Sequence, residues 1–149
     1  MCIRDRKATI VADLENGDGI PDDAFDCIIL TQTLQMVYDL GSAATTVRRI
    51  LAPGGVLLVT VPGISSLADR EWRASWYWNF TTHSLRRILE EAFPWQDVEV
   101  RAYGNVMAAT AFLQGLAVEE LPGGSLDVRD SDYELLIAGR AVKHAAPSP

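Results

Sequence analysis

The chain has 149 residues, of which 48% are hydrophobic and 22% are charged, a composition typical of one folded globular domain. Thirteen Lys and Arg residues against twenty Asp and Glu residues give a net charge of −7, which disfavours nucleic acid and anionic lipid as partners. Only two cysteines and no apolar run of membrane-spanning or signal-peptide type occur in the sequence, so we expect a cytoplasmic protein with no membrane partner.

The first part of the chain predicts two strands separated by a polar loop. Residues 8–12 (ATIVA) are apolar and β-branched, which predicts a short strand. Residues 13–23 form the loop, whose turn signals are Asn16-Gly17, Asp18-Gly19 and Pro21-Asp22. Residues 25–30 (FDCIIL) predict the second strand. Since this run is continuously apolar after Asp26, we expect both of its faces to be buried, as in a parallel sheet.

A helix and a third strand are predicted next. Residues 42–51 predict a helix with Ser42 as its N-cap, and the sequence Pro53-Gly54-Gly55 ends it. Residues 56–61 (VLLVTV) predict a third buried strand. A helix that connects two buried strands is typical of the βαβ unit of a parallel sheet.

The second half predicts two more helices and two more strands. A helix capped by its first residue is predicted over Thr82–Ala92, and the alternating pattern of Val98–Tyr103 predicts an edge strand. Residues 106–120 predict a third helix and residues 133–142 a last strand, after which residues 144–149 are expected to be a disordered tail. This alternation of elements predicts an α/β fold with a largely parallel sheet.

In open α/β sheets, ligands bind at the carboxyl ends of the strands. This rule selects Asp13 after the first predicted strand, residues 31–35 after the second and residues 62–66 after the third. The Asp13 carboxylate is suited to accept a hydrogen bond from an exocyclic amine or a hydroxyl, and a turn cap explains the same residue equally well. Gln32 and Gln35 straddle the start of a helix, so one can face a ligand while the other is solvated. For each glutamine alone, we favour a role without a ligand.

Other chemistries have little support in the sequence. His83 and His144 are the only histidines, and neither has a neighbouring Cys or His at metal-ligand spacing, so we expect no metal site. The segment that begins at Gly63 lacks the second glycine of a nucleophile elbow. A G-x-G-x-x-G loop that opens a helix after a strand is absent as well.

Aromatic residues are concentrated in one short segment, where five of them lie within nine residues beside two arginines: Arg70, Trp72, Arg73, Trp76, Tyr77, Trp78 and Phe80. Such rings can form the wall of a substrate pocket or hold a cation. They can also cover the sheet as ordinary core, which is the interpretation that we favour from composition alone.

Four phrases of the sequence, in their order and spacing, resemble the downstream half of class I S-adenosylmethionine-dependent methyltransferases: IVADL (10–14), IPDDAFDCII (20–29), TLQMVYD (33–39) and VRRILAPGGVLLV (47–59). The last of these is the most specific. The later phrases WNFT (78–81) and SLRR (84–87) are also similar to that family. The resemblance covers roughly residues 8 to 143.

The resemblance implies a fold and a set of cofactor-binding residues. The fold is α/β and Rossmann-like, with a mostly parallel sheet that ends in an antiparallel pair formed by the last two strands. Asp13 matches the family's acidic acceptor for the adenine amine of S-adenosyl-L-methionine, and Leu14 would line the adenine pocket. Thr31 and Gln32 match positions near the methionine moiety and the reacting methyl group.

The sequence also departs from the family pattern. The family's glycine-rich loop and the acidic residue that binds the ribose hydroxyls are absent, and both would precede Lys7. We therefore expect an N-terminally truncated domain over residues 8–143 that lacks its first two strand–helix units. Residues 1–7 would be a non-native or disordered head.

The function implied by the resemblance is methyl transfer from S-adenosyl-L-methionine to a small-molecule or sugar acceptor, by a fragment that is inactive alone. Trp76, Tyr77 and Trp78 are the candidate acceptor-binding residues, and no catalytic base is identified beyond His83, for which an exposed position is the simpler interpretation. Two alternatives stay open: a non-catalytic Rossmann-like interaction domain, or a fragment of a nicotinamide-dependent oxidoreductase.

Overall fold

A computed structural model of the protein describes residues 9–67 and 73–144. Within these residues, one sheet contains four strands: β1 (Phe25–Thr31), β2 (Leu51–Pro62), β3 (Val98–Tyr103) and β4 (Leu136–Val142). The longer helices are α1 (Leu40–Ile50), α2 (Thr82–Ala92) and α3 (Val106–Gln114), and short 3₁₀ turns occupy Leu34–Met36, Trp95–Asp97 and Val118–Glu120.

The strand order in the sheet is β1-β2-β4-β3. β1 and β2 are parallel and are joined through α1, so the predicted βαβ unit is confirmed. β4 runs antiparallel to both β2 and β3. This arrangement confirms the expected α/β sheet with an antiparallel terminal pair, and it confirms β3 as an edge strand.

The hydrophobic core lies between the sheet and the two helices α1 and α2. Alternate residues of β2 and β4 point into it, which leaves the side chains between them on the opposite face. The largest fully buried side chains include Phe93 after α2, Leu85 and Leu89 of α2, and Leu57 of β2. Among the described residues, no helix is both long and apolar enough to cross a bilayer.

The strand predicted over residues 8–12 is not present. Residue 8 lies outside the described residues, and residues 9–12 adopt no regular structure. Val11 is exposed, and none of the described strands runs beside this segment. A strand needs the hydrogen bonds of a neighbouring strand, so a β-branched run without a partner does not become one.

The expectation that β1 is buried on both faces is also wrong. Ile28 and Leu30 pack against the core, but Cys27 on the other face is exposed and Ile29 is 67% exposed. The described helices cover only one face of β1, and β1 is an edge strand in the described sheet.

The start of α1 differs from the prediction because the helix is capped by Asp39 rather than by Ser42. The Asp39 carboxylate accepts hydrogen bonds from the Ser42 backbone N–H (2.9 Å) and hydroxyl (2.8 Å). Both bonds favour the charged carboxylate, so they lower the pKa of Asp39 below its ordinary value. Ser42 is therefore a partner of the cap and not the cap itself.

β2 begins directly after α1, so the Pro53-Gly54-Gly55 signal lies inside the strand. The pairing with β1 shifts from Phe25–Leu51 to Cys27–Val56, which places these residues in a bulge. Gly54 has a φ of +84°, a conformation that favours glycine. The predicted turn residues thus form a bulge inside β2, and they do not separate α1 from β2.

α2 has the predicted bounds and a different cap. Thr81 and Ser84 form a capping box, in which each side chain bonds the other residue's backbone N–H. The Thr82 hydroxyl, expected to cap the helix, donates instead to Glu134 at 2.6 Å. The Thr82 N–H donates to the same carboxylate at 2.8 Å, so Glu134 ties the start of α2 to the segment before β4.

The third helix and the last strand are shorter than predicted. α3 ends at Gln114 because Gly115 adopts a left-handed conformation with φ of 72°. β4 begins at Leu136 rather than at residue 133. His144, expected in a disordered tail, lies 2.6 Å from an Asp97 carboxylate oxygen. Residues 145–149 and the head, residues 1–7, lie outside the described residues.

Arg49, near the end of α1, holds the loop between Asp13 and β1 in place. Its guanidinium donates to the Ile20 carbonyl (2.9 Å), to the Asp22 carboxylate (2.6 Å) and to the Gly17 carbonyl (3.1 Å). Several hydrogen bonds from one cation fix backbone that has no strand partner. Arg49 therefore attaches the loop that follows Asp13 to the end of α1.

We expect Arg49→Met to lower the free energy of unfolding by about 2 kcal/mol, because charge-assisted hydrogen bonds are lost and carbonyl groups are left without a donor. Urea denaturation monitored by tryptophan fluorescence measures the change. Arg48→Met is the matched control, since Arg48 is exposed and makes no hydrogen bond or ion pair with the described residues. Equal losses in the two variants would contradict the role assigned to Arg49.

Candidate functional site

The carboxyl ends of three strands lie at one edge of the sheet. β1, β2 and β3 point the same way, because β1 is parallel to β2 and both β2 and β3 are antiparallel to β4. The segments that follow Thr31 and Pro62 therefore leave the sheet at the same edge. This is where an open α/β sheet binds its ligands.

Glu15 joins two of the loops at this edge. One of its carboxylate oxygens accepts hydrogen bonds from the backbone N–H groups of Tyr38 and Asp39, both at 3.1 Å. The segment with Asp13 and Leu14 is thereby held beside the loop that follows β1. Sequence reasoning missed Glu15, because its partners lie more than twenty residues away along the chain.

The Asp13 side chain is exposed and only partly engaged. One carboxylate oxygen, Oδ1, accepts the Glu15 N–H at 3.0 Å, and the Asp13 carbonyl accepts the Gly17 N–H at 2.7 Å. The turn-cap interpretation therefore describes what this residue does locally. The second oxygen, Oδ2, has no hydrogen-bond donor among the described residues and is open to an external one. Leu14 beside it is partly buried against the core.

Gln32 directly follows β1 in a strained backbone conformation. Its φ is +50°, which is uncommon for a residue other than glycine. Its N–H donates to the Thr60 carbonyl at 2.9 Å, and its own carbonyl accepts from the Gln35 side chain at 3.0 Å. Thr31 before it is exposed, and its carbonyl accepts the Thr33 hydroxyl at 3.1 Å. Strain of this kind is commonly found at functional sites.

Gln35 is buried, with 1% of its surface exposed, and Gln32 is half-buried, so neither side chain is fully solvated. The expectation of one solvated glutamine is therefore wrong. Gln35 also makes a long-range connection, because its backbone carbonyl accepts the Tyr77 N–H at 2.8 Å. Its side-chain oxygen is buried and has no hydrogen-bond partner among the described residues. A buried acceptor without a donor is costly, which makes this atom notable at a ligand-binding edge.

The aromatic segment divides between core and surface. Phe80 is buried in the core, whereas Tyr77 and Trp78 are exposed. Trp76 is half-buried, and its indole N–H donates to Asn79 at 3.0 Å. The core interpretation is thus correct for Phe80 and wrong for Tyr77 and Trp78. Trp72 and Arg70 lie outside the described residues.

Tyr38 completes an aromatic surface with this segment. Its ring meets that of Tyr77 edge to face, with centroids 5.3 Å apart, and lies 6.4 Å from that of Trp78. The Trp78 indole N–H donates to the Val37 carbonyl at 3.0 Å. Because the neighbouring residue Asp39 is held by Glu15, these rings belong to the same edge as Asp13 and Gln32. Sequence reasoning did not select Tyr38.

A second concave region lies at the other end of the strands, near the residue where β1 begins. This cavity of about 510 Å³ is lined by charged residues that include Asp23, Arg49 and Lys143. The Lys143 ammonium already donates to Asp23 (2.6 Å) and to the Leu51 carbonyl (2.7 Å). Two ion pairs, Arg49–Asp22 and Lys143–Asp23, lie in this cavity. The cavity lies where β1 begins, so it is not at the edge where the carboxyl ends of the strands lie. The described residues include no group of three or more potential metal ligands.

The family whose model is described as a methyltransferase domain matches residues 4–95, more than half of the chain. No curated protein matches. Among solved structures, the chain is similar to phosphoethanolamine N-methyltransferase 2 of Haemonchus contortus in complex with S-adenosyl-L-methionine (15% identity, TM-score 0.56, covering 89% of this chain and 36% of that one). It is also similar to a possible histamine N-methyltransferase of Thermotoga maritima (21% identity, TM-score 0.55, covering 89% and 62%). A methyltransferase of Archaeoglobus fulgidus is a third (14% identity, TM-score 0.57, covering 90% and 66%).

The sheet order, the antiparallel last strand and the ligand-binding edge define a Rossmann-like fold of the class I S-adenosylmethionine-dependent methyltransferase type. With more than half of its residues matched by the family model, the chain belongs to the methyltransferase-domain family. It spans about a third of the length of the Haemonchus contortus enzyme and under two thirds of that of the Thermotoga maritima protein.

Proposed function

We propose that this chain forms the adenine-binding and acceptor-binding side of a domain that transfers a methyl group from S-adenosyl-L-methionine to a small-molecule or sugar acceptor. The observation that carries the proposal is the open carboxylate oxygen of Asp13. It lies on a loop that Glu15 fastens beside the loop bearing Gln32, at the ligand-binding edge of a methyltransferase-family sheet.

The residues at this edge suit the adenine and methyl ends of the cofactor. S-adenosyl-L-methionine supplies an activated methyl group, so the protein has mainly to bind, align and exclude water. Asp13 would accept the adenine amine, and Leu14 would offer apolar contact to the ring. Thr31 and Gln32 would lie near the methionine moiety. The hydrogen bond from the Gln32 N–H to the Thr60 carbonyl holds this backbone beside the end of β2.

The aromatic surface suits the acceptor. Tyr77 and Trp78, together with Tyr38, present exposed rings that can stack on a sugar or on a flat small molecule, and Trp76 is half-buried beside them in the sequence. The net charge of −7 disfavours nucleic acid. A base is required only for an acceptor that must lose a proton, and we assign none.

The remaining part of the domain would pair with the free edge of β1. We propose that residues 8–143 form a domain completed by two further strand–helix units, which would bear the glycine-rich loop for the rest of the cofactor. The open edge of β1 and the exposed Ile29 support this proposal, since an apolar parallel strand is normally covered on both faces.

We further infer a cytoplasmic location from the cysteines. The sequence has only two, and Cys27 is a free, exposed thiol. Exposed free thiols persist where the environment is reducing.

Substitution of Asp13 in the completed domain tests the cofactor site. Asp13→Ala should weaken S-adenosyl-L-methionine binding at least about tenfold, because one charge-assisted hydrogen bond to adenine is lost. Asp18→Ala, in the same loop, is the matched control, and its affinity should be unchanged. Calorimetry measures both. Unaltered affinity in Asp13→Ala would contradict the assignment.

A non-catalytic interaction domain is the second candidate, favoured by the absence of a glycine-rich loop from the sequence. The coding DNA upstream of Met1 discriminates the two. A strand, then G-x-G-x-G, then an acidic residue about 20 positions on would support the methyltransferase, and an open frame without that loop would support the alternative.

The nicotinamide-dependent oxidoreductase is set aside, because the family match is to methyltransferases.

A further inference from the structure

α3 and the residues after it form an uncharged segment. No charged residue or histidine occurs between Gly104 and Val118. Within α3 the alanines are buried, whereas Val106, Met107 and Leu113 are 51%, 49% and 54% exposed. A helix in water normally shows polar residues on its outer side. The exposed residues of α3 are instead mostly apolar, and Thr110 and Gln114 are the polar ones.

The exposed residues of α3 form a stripe that continues onto a neighbouring loop. Val106, Thr110 and Leu113 follow the spacing i, i+4, i+7, so they lie on one side of the helix. The Asn105 side chain donates to the carbonyls of Ser125 (2.8 Å) and Val128 (2.7 Å), which holds that loop at the start of the helix. More than half of each apolar side chain at 126 and 128 is exposed. We call these residues the α3 surface: Val106, Met107, Thr110, Leu113, Leu126 and Val128.

We propose that the α3 surface is a homodimer interface, packed against the same surface of a second copy around a twofold axis near Thr110. The exposed residues of α3 itself carry no charge, so two copies of the helix can pack together without burying one. Asp127, between Leu126 and Val128, would lie at the rim of such an interface. The five apolar residues of the α3 surface, each about half exposed, present on the order of 500 Å² of surface. Burial of this surface would supply about the apolar share, roughly 65%, of the roughly 800 Å² that each partner buries in a standard interface.

Three other occupants fit less well. The strand–helix units proposed for β1 would join the opposite edge of the sheet, since α3 follows β3, which lies three strand spacings or about 14 Å from β1. An anionic membrane would meet three carboxylates, Glu119, Glu120 and Asp127, against one cation, Arg129. The side of a helix is convex, whereas small molecules bind in concave sites.

Sedimentation velocity over about 1 to 100 µM protein tests the proposal. The chain should shift from monomer to dimer within this range, and Leu113→Lys should raise the dissociation constant at least about tenfold. Ile29→Lys is the matched control, because Ile29 is an exposed apolar residue on the uncovered face of β1. Its dimerisation should be unchanged. Thermal unfolding of both variants establishes that they are folded.

A cross-link tests the geometry independently. With Cys2 and Cys27 replaced by serine, Thr110→Cys should form an intermolecular disulfide under mild oxidation, and Arg87→Cys on the exposed side of α2 should not. A chain that is monomeric at 100 µM would overturn the proposal. So would a dimer lost in Ile29→Lys and retained in Leu113→Lys. Leu113-dependent flotation on phosphatidylcholine vesicles without dimerisation would assign the surface to lipid and overturn it too.

Discussion

Titration of the 149-residue chain with S-adenosyl-L-methionine is expected to give no measurable binding heat. The chain offers the adenine side of the proposed site through Asp13 and Leu14, and the methyl side through Gln32. No glycine-rich loop or ribose-binding acid occurs in its sequence. Loss of two or more hydrogen bonds to a charged ligand, each worth about 1.5 kcal/mol or more, weakens binding by at least roughly 100-fold. A micromolar dissociation constant then becomes about 100 µM or weaker, and no binding heat is expected at about 10 µM protein and a few-fold excess of ligand.

Isothermal calorimetry with the folded chain measures this result, and near-ultraviolet circular dichroism of the four tryptophans first establishes that the chain is packed. The positive control is the completed domain, in which the two further strand–helix units are supplied on the same polypeptide and micromolar binding is expected. Clear micromolar binding by the 149-residue chain would contradict the proposal that those units are required.

Replacement of Gly63 by alanine is expected to lower the free energy of unfolding by about 3 kcal/mol, at the upper end of the cost of overpacking. Gly63 follows β2, and its N–H donates to the Leu135 carbonyl at 3.0 Å. A Cβ atom there would collide with the backbone carbonyl of Glu134. Because the backbone fixes the position of a Cβ atom and the carbonyl is part of the main chain, no change of rotamer can relieve the contact, and the two segments must separate.

Gly123→Ala is the control for this experiment. A Cβ atom at Gly123 would meet no other atom within 4 Å, so its effect should stay within about 0.5 kcal/mol. Urea denaturation followed by tryptophan fluorescence compares the two variants with the original chain. If Gly63→Ala were as stable as Gly123→Ala, the close approach between the end of β2 and the segment before β4 would be contradicted.

The parts of the fold that local patterns determine could be predicted from the sequence. Helical spacing and a following proline set the bounds of α2, and strict alternation identified β3 as an edge strand. Burial of β1 could not be predicted in this way, because it depends on what covers Ile29 and not on β1 itself. Residues 8–12 failed for a related reason, since a strand requires a partner. The helix caps could not be predicted, because each helix has two residues near its start that could cap it: Asp39 and Ser42 at α1, and Thr81 and Thr82 at α2.

Candidate site residues that directly follow a strand could be predicted, whereas the contacts that join the loops of the site could not. The rule that ligands bind at carboxyl ends of strands selected Gln32, which does follow β1. It also selected Asp13, although residues 9–12 form no strand, and it is Glu15 that holds the Asp13 segment beside the loop after β1. The roles of Asp13 and Gln32 in cofactor binding stay predictions. Glu15, Tyr38 and the buried state of Gln35 could not be predicted, because they depend on contacts between segments that no local pattern encodes.

Gln35 has a consequence for how such a site can change its substrate. Its carbonyl holds the aromatic segment through the backbone N–H of Tyr77, and its side-chain amide holds the carbonyl of Gln32. At Tyr77 this attachment is made to the main chain and does not depend on the ring, whereas the Trp78 ring itself donates to the Val37 carbonyl. Replacement of the ring at 77 would therefore alter what the proposed acceptor meets while the attachment through Gln35 is kept. In the proposed site, the surface that meets the acceptor can thus change by substitution while the residues proposed to bind the cofactor keep their positions.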